Sequence, residues 1–307
     1  MSDKRIFLSL RSLSTALPLL IAILALAALG LSYTGAWFAP GDSLAVGRPN
    51  LIVVVTLMAL WLWWVRAVKL ALMCLLAGGI SAGILATYYL PAPPSGGPVT
   101  LYQKNLLHTA WPRTPLADEI LASGADIVTL QEVSVHNRRY MKRLFDAYPA
   151  QIICPFRAGF DVAILSRYPA ISGTAGCGQN DGLALMQVAL PDGQRLWIAA
   201  LHLYWPWPYS QPEQLVRLLP RLAALEGPIV LAGDFNMVPW GASVARIAKA
   251  SGTQRIGRAH DTYPNFRPLL SLPIDHVLLP KGSQGRTEMR PLHGSDHHGL
   301  FVEFALP

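Results

Sequence analysis

Ile229 to Asn236 reads IVLAGDFN, a wholly apolar run that breaks into Gly233, Asp234, Phe235 and Asn236. Consecutive apolar residues without alternation predict a buried strand, and the glycine, acid and amide that follow predict a turn at its end. A carboxylate and a carboxamide delivered together at a strand end are either turn formers or ligands. Alone, the stretch is only suggestive. The rest of the chain decides between the two.

Other strands end in the same way. Val99 to Leu107 runs into Asn105, and Asp126 to Leu130 (DIVTL) into Gln131 and Glu132. Arg195 to Leu201 leads to His202, Asp275 opens Val277 to Leu279, and Ser295-Asp296-His297-His298 precedes Leu300 to Phe304. Val162 to Ser166 and Leu183 to Leu190 add two further strands. Helical segments at Leu116 to Ala122, Arg138 to Phe145, Gln211 to Leu225 and Ala242 to Ala250 alternate with them, predicting a mixed α/β domain. Taken singly, each polar residue has a structural explanation: a helix cap for Glu132, turn formation for Asp234 and Asn236, a satisfied strand-end imidazole for His202. Taken together, they are oxygen donors for a hard divalent cation, with imidazoles and amides left over for a phosphate. Thiols are absent from the set, which argues against structural zinc. The chain also lacks the GxxxxGK[ST] phosphate loop and the GxSxG elbow.

Asn105, Leu130-Gln131-Glu132, Leu165-Ser166-Arg167-Tyr168-Pro169, His202, Gly233-Asp234-Phe235-Asn236, Ile274-Asp275-His276 and Ser295-Asp296-His297 follow one another as in the endonuclease/exonuclease/phosphatase superfamily. The chain resembles that group over about Val99 to Ala305. LQE, GDFN and SDH together make a specific signature. The resemblance implies an α/β four-layered sandwich, two packed mixed β-sheets flanked by helices, with the active site at one edge. It implies Mg²⁺ held by Glu132 with Asn105 and Asp296, Mn²⁺ being the alternative ion. Asp234 would position or deprotonate the attacking water, Asn236 and His202 would contact the phosphate, and His297 would be the essential histidine, oriented by Asp275. Asn105 and Arg167 join them as substrate contacts. Such a set suits in-line attack at phosphorus, which needs a placed water, neutralised phosphoryl oxygens and a stabilised leaving oxygen. Two positions depart from the pattern: His298-Gly299 follows the histidine where relatives often have a proline, and Asp161 stands where a less polar residue is expected.

The first 90 residues are of another kind. Only 14% of the 307 residues are charged, against about 25% in soluble proteins, and the apolar excess lies before Pro91. Leu13 to Tyr33, Pro49 to Val65 and Leu70 to Leu90 are apolar stretches near the ~20 residues a bilayer core requires. Three membrane-spanning helices are therefore expected over 1–90, then a Pro/Gly linker over 91–98 (PAPPSGGP in the sequence) and the catalytic domain over 99–307. A buried helical hairpin, or a signal peptide over Leu8 to Gly30, is the alternative. Lys4, Arg5, Arg11, Arg66 and Lys69 flank the spans on one side and Arg48 alone on the other. This bias predicts a cytoplasmic N-terminus and a periplasmic or extracellular catalytic domain of an integral membrane protein. Six basic against two acidic residues give this part +4, leaving +3 of the chain's +7 for the remainder. That is a mild excess, and with no Lys/Arg run it does not favour long DNA.

The expected substrate is thus a phosphoester from nucleic acid or a lipid headgroup, and no protein partner is inferable. A catalytically degenerate binding or sensor module is the alternative, disfavoured by the intact ligand set. The aromatic run Tyr204 to Tyr209 (YWPWPY) either packs a loop or offers rings to a base or a membrane interface. Cys154 and Cys177 flank the Val162 to Ser166 strand, and an antiparallel return would bring them together as a disulfide.

Overall fold

The computed structural model describes residues 2–91, 95–109, 114–157, 160–266 and 270–307; of 2–15, 265, 266 and 270 it describes the backbone only. Part of the expected linker, 92–94, and the side chains of Lys4, Arg5 and Arg11 lie outside the described residues. The chain divides into two compact units, Met1–Tyr89 and Leu90–Pro307.

The first unit is helical: α1 (Ser2–Leu31), α2 (Ala39–Val46), α3 (Arg48–Trp64) and α4 (Val68–Thr87). Its interior holds mostly small side chains, Ala22, Ala25, Ala59, Ala71 and Cys74, together with Leu29, Val55 and Leu62, whereas Leu24, Leu60 and Leu76 lie more than half exposed. A bundle folded in water buries its large apolar residues, so this arrangement is reversed. The α4 helix is long and apolar enough to cross a membrane by itself. The α2 and α3 helices meet that test only as a pair bent by 75°, and the apolar stretch Ala16–Leu31 of α1 is shorter. Among the residues whose side chains are described, therefore, one of the three expected spans stands alone on length and composition. The segment between the first two expected spans, Thr34 to Arg48, contains α2. Arg48, the basic residue of that segment, is buried and donates from Nε to Ser32 Oγ (3.0 Å) and from Nη2 to the Ser32 carbonyl.

The second unit begins with β1 (Val99–Asn105), α5 (Thr114–Ala122), β2 (Ile127–Val133), α6 (Val135–Tyr140), α7 (Lys142–Asp146), β3 (Ala150–Cys154) and β4 (Asp161–Ser166). It continues through β5 (Gly176–Cys177), β6 (Leu183–Ala189), β7 (Arg195–His202), α8 (Gln211–Ala223), β8 (Ile229–Asp234) and α9 (Ala242–Ala250). The remaining strands are β9 (Thr253–Arg255), β10 (Tyr263–Phe266), β11 (Leu270–Leu272), β12 (Asp275–Pro280), β13 (Gln284–Arg290) and β14 (Gly299–Ala305). They form two six-stranded sheets, β13-β14-β1-β2-β4-β3 and β5-β6-β7-β8-β12-β9, and a small β10-β11 pair. Each large sheet has one parallel pair at its centre, β1 with β2 and β7 with β8, and antiparallel neighbours on both sides. Helices flank them.

Strand alternation accounts for the layering. Val99 and Leu101 enter the core between the sheets, while Tyr102 turns outward to Leu116, Ile120 and Leu144 of the helical layer. Leu196, Ile198 and Ala200 of β7, Val230 and Ala232 of β8 and Val277 and Leu279 of β12 fill the same central core. Strands β3, β5, β9, β10, β11 and β13 were not expected from the sequence. β13 is a largely polar, exposed edge strand, and most of the others are too short to leave an apolar run. The expected helix over Arg138 to Phe145 is broken at Met141 into α6 and α7. Cys154 and Cys177 form the expected disulfide, with a Cα–Cα separation of 5.2 Å, and it joins the edge strands β3 and β5 of the two sheets.

Candidate active site

The same alternation builds the site. Two residues beyond Leu101 and Gln103 the inward position of β1 is Asn105; beyond Ala200 in β7 it is His202; beyond Ala232 in β8 it is Asp234. In antiparallel β12 the corresponding residue comes first, Asp275. Register places both His202 and Asp275 opposite Asp234. All four are buried. The polar end of the inter-sheet core is therefore a continuation of its apolar part.

Glu132 follows another rule. It lies where the β2–β4 register shifts between Leu130 and Val133, with φ of 57°. Such a bulge re-aims a side chain that plain alternation would turn away. Asn137 donates to the Glu132 carbonyl (2.9 Å), and Asn137 is in turn held by the Ser134 cap of α6 (3.1 Å). The Glu132 carboxylate accepts from the His108 amide (3.0 Å), pairs with His108 Nδ1 (2.9 Å) and accepts from Asn105 Nδ2 (3.3 Å). Burial would raise its pKa, but these donors and nearby His202 outweigh it and hold the carboxyl below the usual glutamate value.

Asn105 links the two halves: its Nδ2 also donates to Asp234 Oδ2 (3.0 Å), while its Oδ1 accepts from the Leu107 amide (3.0 Å). In this arrangement Asn105 tethers two carboxylates and turns its oxygen away from them. Asp234 Oδ1 accepts from the Asn236 amide (2.8 Å), and Asn236, at φ 47°, donates from Nδ2 to the Leu203 carbonyl (2.8 Å). Asp234 Oδ2 also faces His202 Nε2 at 3.7 Å and His297 Nε2 at 3.8 Å. Burial, reinforced by Asp275, raises the Asp234 carboxyl well above the usual range although His297 opposes it.

His297 and Asp275 form a pair, Nδ1 to Oδ2 at 2.8 Å, and Gln103 Nε2 donates to the other Asp275 oxygen (2.8 Å). Burial would lower the His297 imidazolium, but Asp275 and Asp234 dominate and raise it to about 9. Asp275 is correspondingly lowered, the charge and hydrogen bond of His297 overcoming burial. Tyr263 lies against the His297 ring at 4.8 Å. His202, fully buried, is pushed down to about 4 by desolvation, so its ring is neutral at neutral pH, and its Nδ1 has no hydrogen-bond partner among the described residues. The loop bearing Asp296 and His297 is pinned from beneath: buried Lys104 donates to the carbonyls of Pro291 (3.1 Å), Leu292 (3.0 Å) and His297, and Ser295 Oγ donates to the Asn105 carbonyl (2.7 Å).

The ligand atoms of Asp234, Asp275 and His297 lie within 4.8 Å of one another, close enough to hold a metal. Their chemistry argues otherwise, because a protonated imidazole bonded to its own carboxylate repels a cation. Glu132 is ionised, and Asp296 is pushed up by burial and, against the pull of His297, by Glu132 and Asp275. A carboxyl destabilised by burial and by neighbouring carboxylates, as Asp296 is, is relieved by a divalent cation, and an oxygen donor set suits a hard one.

Of the residues expected at the site, Arg167 alone is not brought to it. β4 runs antiparallel to β2, so Asp161 pairs with Val133 beside Glu132, while Ser166 pairs with Ile127 at the far end. Arg167 lies exposed beyond Ser166, its guanidinium 5.5 Å from the Tyr148 ring. Sequence reasoning missed His108, Gln103 and Lys104. The only signal for Gln103 and Lys104 was that polar residues occupy a strand otherwise buried.

Two mixed sheets flanked by helices, with carboxylates and imidazoles gathered at one end of their shared core, are the arrangement of a class whose members are generally hydrolases of phosphoesters. The sequence model of the Endonuclease/Exonuclease/phosphatase family matches residues 103–297, and the chain belongs to that family. Among curated proteins it is 37% identical over 128 residues to a UPF0294 protein of Vibrio cholerae, covering 38% of this chain and 42% of that one. A UPF0294 protein of Vibrio vulnificus is 28% identical over 210 residues, 61% of this chain and 70% of the relative. The match thus spans about two-fifths of the length of the Vibrio cholerae relative. Among solved structures the chain is similar to an endonuclease/exonuclease/phosphatase from Beutenbergia cavernae (TM-score 0.55, 18% identity, 68% of this chain and 71% of that one). It is also similar to D. rerio TDP2 with a single-strand DNA product (0.56, 19%, 67% and 98%) and to the 3′ phosphatase NExo from Neisseria bound to a product DNA hairpin (0.52, 16%, 67% and 99%). At these identities the likeness is one of fold.

Proposed function

We propose that the chain is a Mg²⁺-dependent hydrolase of a phosphodiester or phosphomonoester, tethered to a membrane by its N-terminal helices with the catalytic unit outside the cytoplasm. One observation carries the chemical part: Asp234 Oδ2 faces Asn105, His202 and His297 at 3.0, 3.7 and 3.8 Å, with ionised Glu132 just across Asn105. A carboxylate of raised pKa is suited to take a proton from water, and the imidazolium opposite it to stabilise negative charge on the phosphoryl or leaving oxygen. Asp275 keeps that imidazole protonated and oriented. His202 and Asn236 stand beside Asp234 as neutral hydrogen-bonding groups for phosphoryl oxygens. Glu132 and Asp296 would hold the cation, with Asn105 fixing Glu132, and the bound ion supplies charge neutralisation of the phosphoryl oxygens.

The membrane part is supported by the reversed small-inside, large-outside packing of the first unit, by the length of α4 and by the distribution of Lys and Arg around the apolar stretches. A disulfide in the second unit fits an oxidising compartment. The test is hydrolysis of an aryl phosphodiester and an aryl phosphomonoester by the detergent-solubilised chain, with Mg²⁺ and then with EDTA. Turnover that persists in EDTA, or in Asp234→Asn, overturns the assigned chemistry. Thiols of Cys154 and Cys177 that react in native membranes without a reductant overturn the orientation.

A further inference from the structure

Beside His202 the chain carries a cation that the chemistry above does not use. Arg157, in the turn between β3 and β4, is exposed, and no carboxylate among the described residues pairs with it. Its guanidinium lies 4.3 Å from the Phe160 ring centroid, 5.0 Å from that of Tyr204 and 5.3 Å from that of Phe156. These rings also border the site: Phe156 stands 5.5 Å and Phe160 6.3 Å from the His202 ring, and Phe160 4.3 Å from that of His108, which binds Glu132. The guanidinium charge is felt at His202.

Three rings around one guanidinium restrict its rotamers before any ligand arrives. Ordering a free arginine side chain on binding costs entropy, and a prior aromatic support removes part of that cost. The N–H edge of a guanidinium held over ring faces stays open to an acceptor, and its planar fork matches phosphate oxygens. Arg221, by contrast, is committed to Asp181 at 2.7 Å, and Arg286 to Glu303 at 2.7 Å.

We propose that Arg157, braced by Phe156, Phe160 and Tyr204, is the specificity contact for an anionic phosphate oxygen of the substrate on the His202 side of the site. This rests on the function proposed above and narrows it, favouring substrates that present phosphate oxygens toward that rim over neutral leaving groups.

The probe is inorganic phosphate, titrated into the full-length solubilised chain in Mg²⁺ buffer by calorimetry and, separately, as a competitive inhibitor of aryl phosphodiester hydrolysis. Charge-assisted hydrogen bonds of this kind predict roughly tenfold weaker phosphate binding in Arg157→Ala. A similar rise in KM with kcat nearly unchanged is expected, and partial recovery in Arg157→Lys. Arg195→Ala removes the same charge from an exposed position at the opposite end of β7 from His202, and is expected to bind phosphate as the parent does. Phosphate affinity equal in the parent and Arg157→Ala overturns the proposal, as does equal loss in Arg195→Ala. The binding measurement needs no turnover. A chain that binds phosphate through Arg157 but hydrolyses nothing would refute the proposed function and leave this contact standing.

Discussion

The two sheets of the second unit have the same order of parallel and antiparallel neighbours, yet they present opposite electrostatics to the cleft between them. The β1–β2 sheet offers Glu132, a carboxylate kept ionised by the donors around it, on a bulge. The β7–β8 sheet offers Asp234, a carboxylate driven toward its neutral form, and His202, an imidazole driven likewise, both on regular strands. One sheet is equipped to hold a cation and the other to move a proton. The difference arises from donors: Glu132 receives hydrogen bonds from His108 and Asn105 in a partly open position, whereas Asp234 is fully enclosed beside a second carboxylate. Near-symmetric backbone does not dictate symmetric chemistry.

The largest expected effect comes from neutralising each carboxylate in turn. Glu132→Gln and Asp234→Asn should each reduce Mg²⁺-dependent turnover by on the order of 10²-fold or more, but they should move metal-free stability in opposite directions. Ionised Glu132 contributes stability above its unfolded pKa, so its replacement lowers Tm in EDTA. Asp234, raised on folding, has lost its contribution once pH exceeds its folded pKa, so its replacement raises Tm at pH 8. Shifts of the same sign would erase the contrast between the sheets.

Next comes the imidazole–carboxylate pair that bridges the sheets, Asp275 of β12 holding His297 from the loop before β14. His297→Ala, Asp275→Asn and the double variant should lose similar amounts of activity, because residues acting as a unit are not additive. Multiplicative losses in a kinetic double-mutant cycle would show that they act separately.

The pH dependence of stability follows from the same groups. His202 and His276 are lowered to about 4 by burial, so the stability they contribute above roughly 6.5 is lost as pH falls toward that value. His297 is raised to about 9, so its contribution is full below roughly 6.5 and is lost as pH rises through 9. A melting series in EDTA should therefore show both limbs, and His297→Ala should flatten the alkaline one. Reducing the Cys154–Cys177 bridge between the sheets should cost about 3 kcal/mol in denaturant titrations. The smallest effect is expected of Arg167→Ala, at the far end of β4, where kcat/KM should change by less than about twofold, as for an ordinary surface substitution.

Much of this was legible in the sequence because regular strands carry their own geometry. Asn105, His202, Asp234 and Asp275 each end or open an apolar run, and period-two alternation places them on one face. Arg167 misled because it shares a motif with β4 while strand direction, which a sequence does not display, sends it to the other end. His108 gave no periodic signal, since its role depends on a bulge in the neighbouring strand, β2. α2 was hidden in a segment whose Gly and Pro suggest a loop, although Pro40 is well placed in a helix's first turn.

Along β1 the inward positions read Val99, Leu101, Gln103, Asn105, passing from hydrocarbon to amide without leaving the face. Core and catalysis are thus written in one reading frame of the strand. A single-residue insertion between Leu101 and Tyr102 would turn Asn105 away from Asp234 and bring Tyr102 to the place Gln103 holds. Fold and function on this strand can be lost together by a change in spacing that alters no catalytic residue.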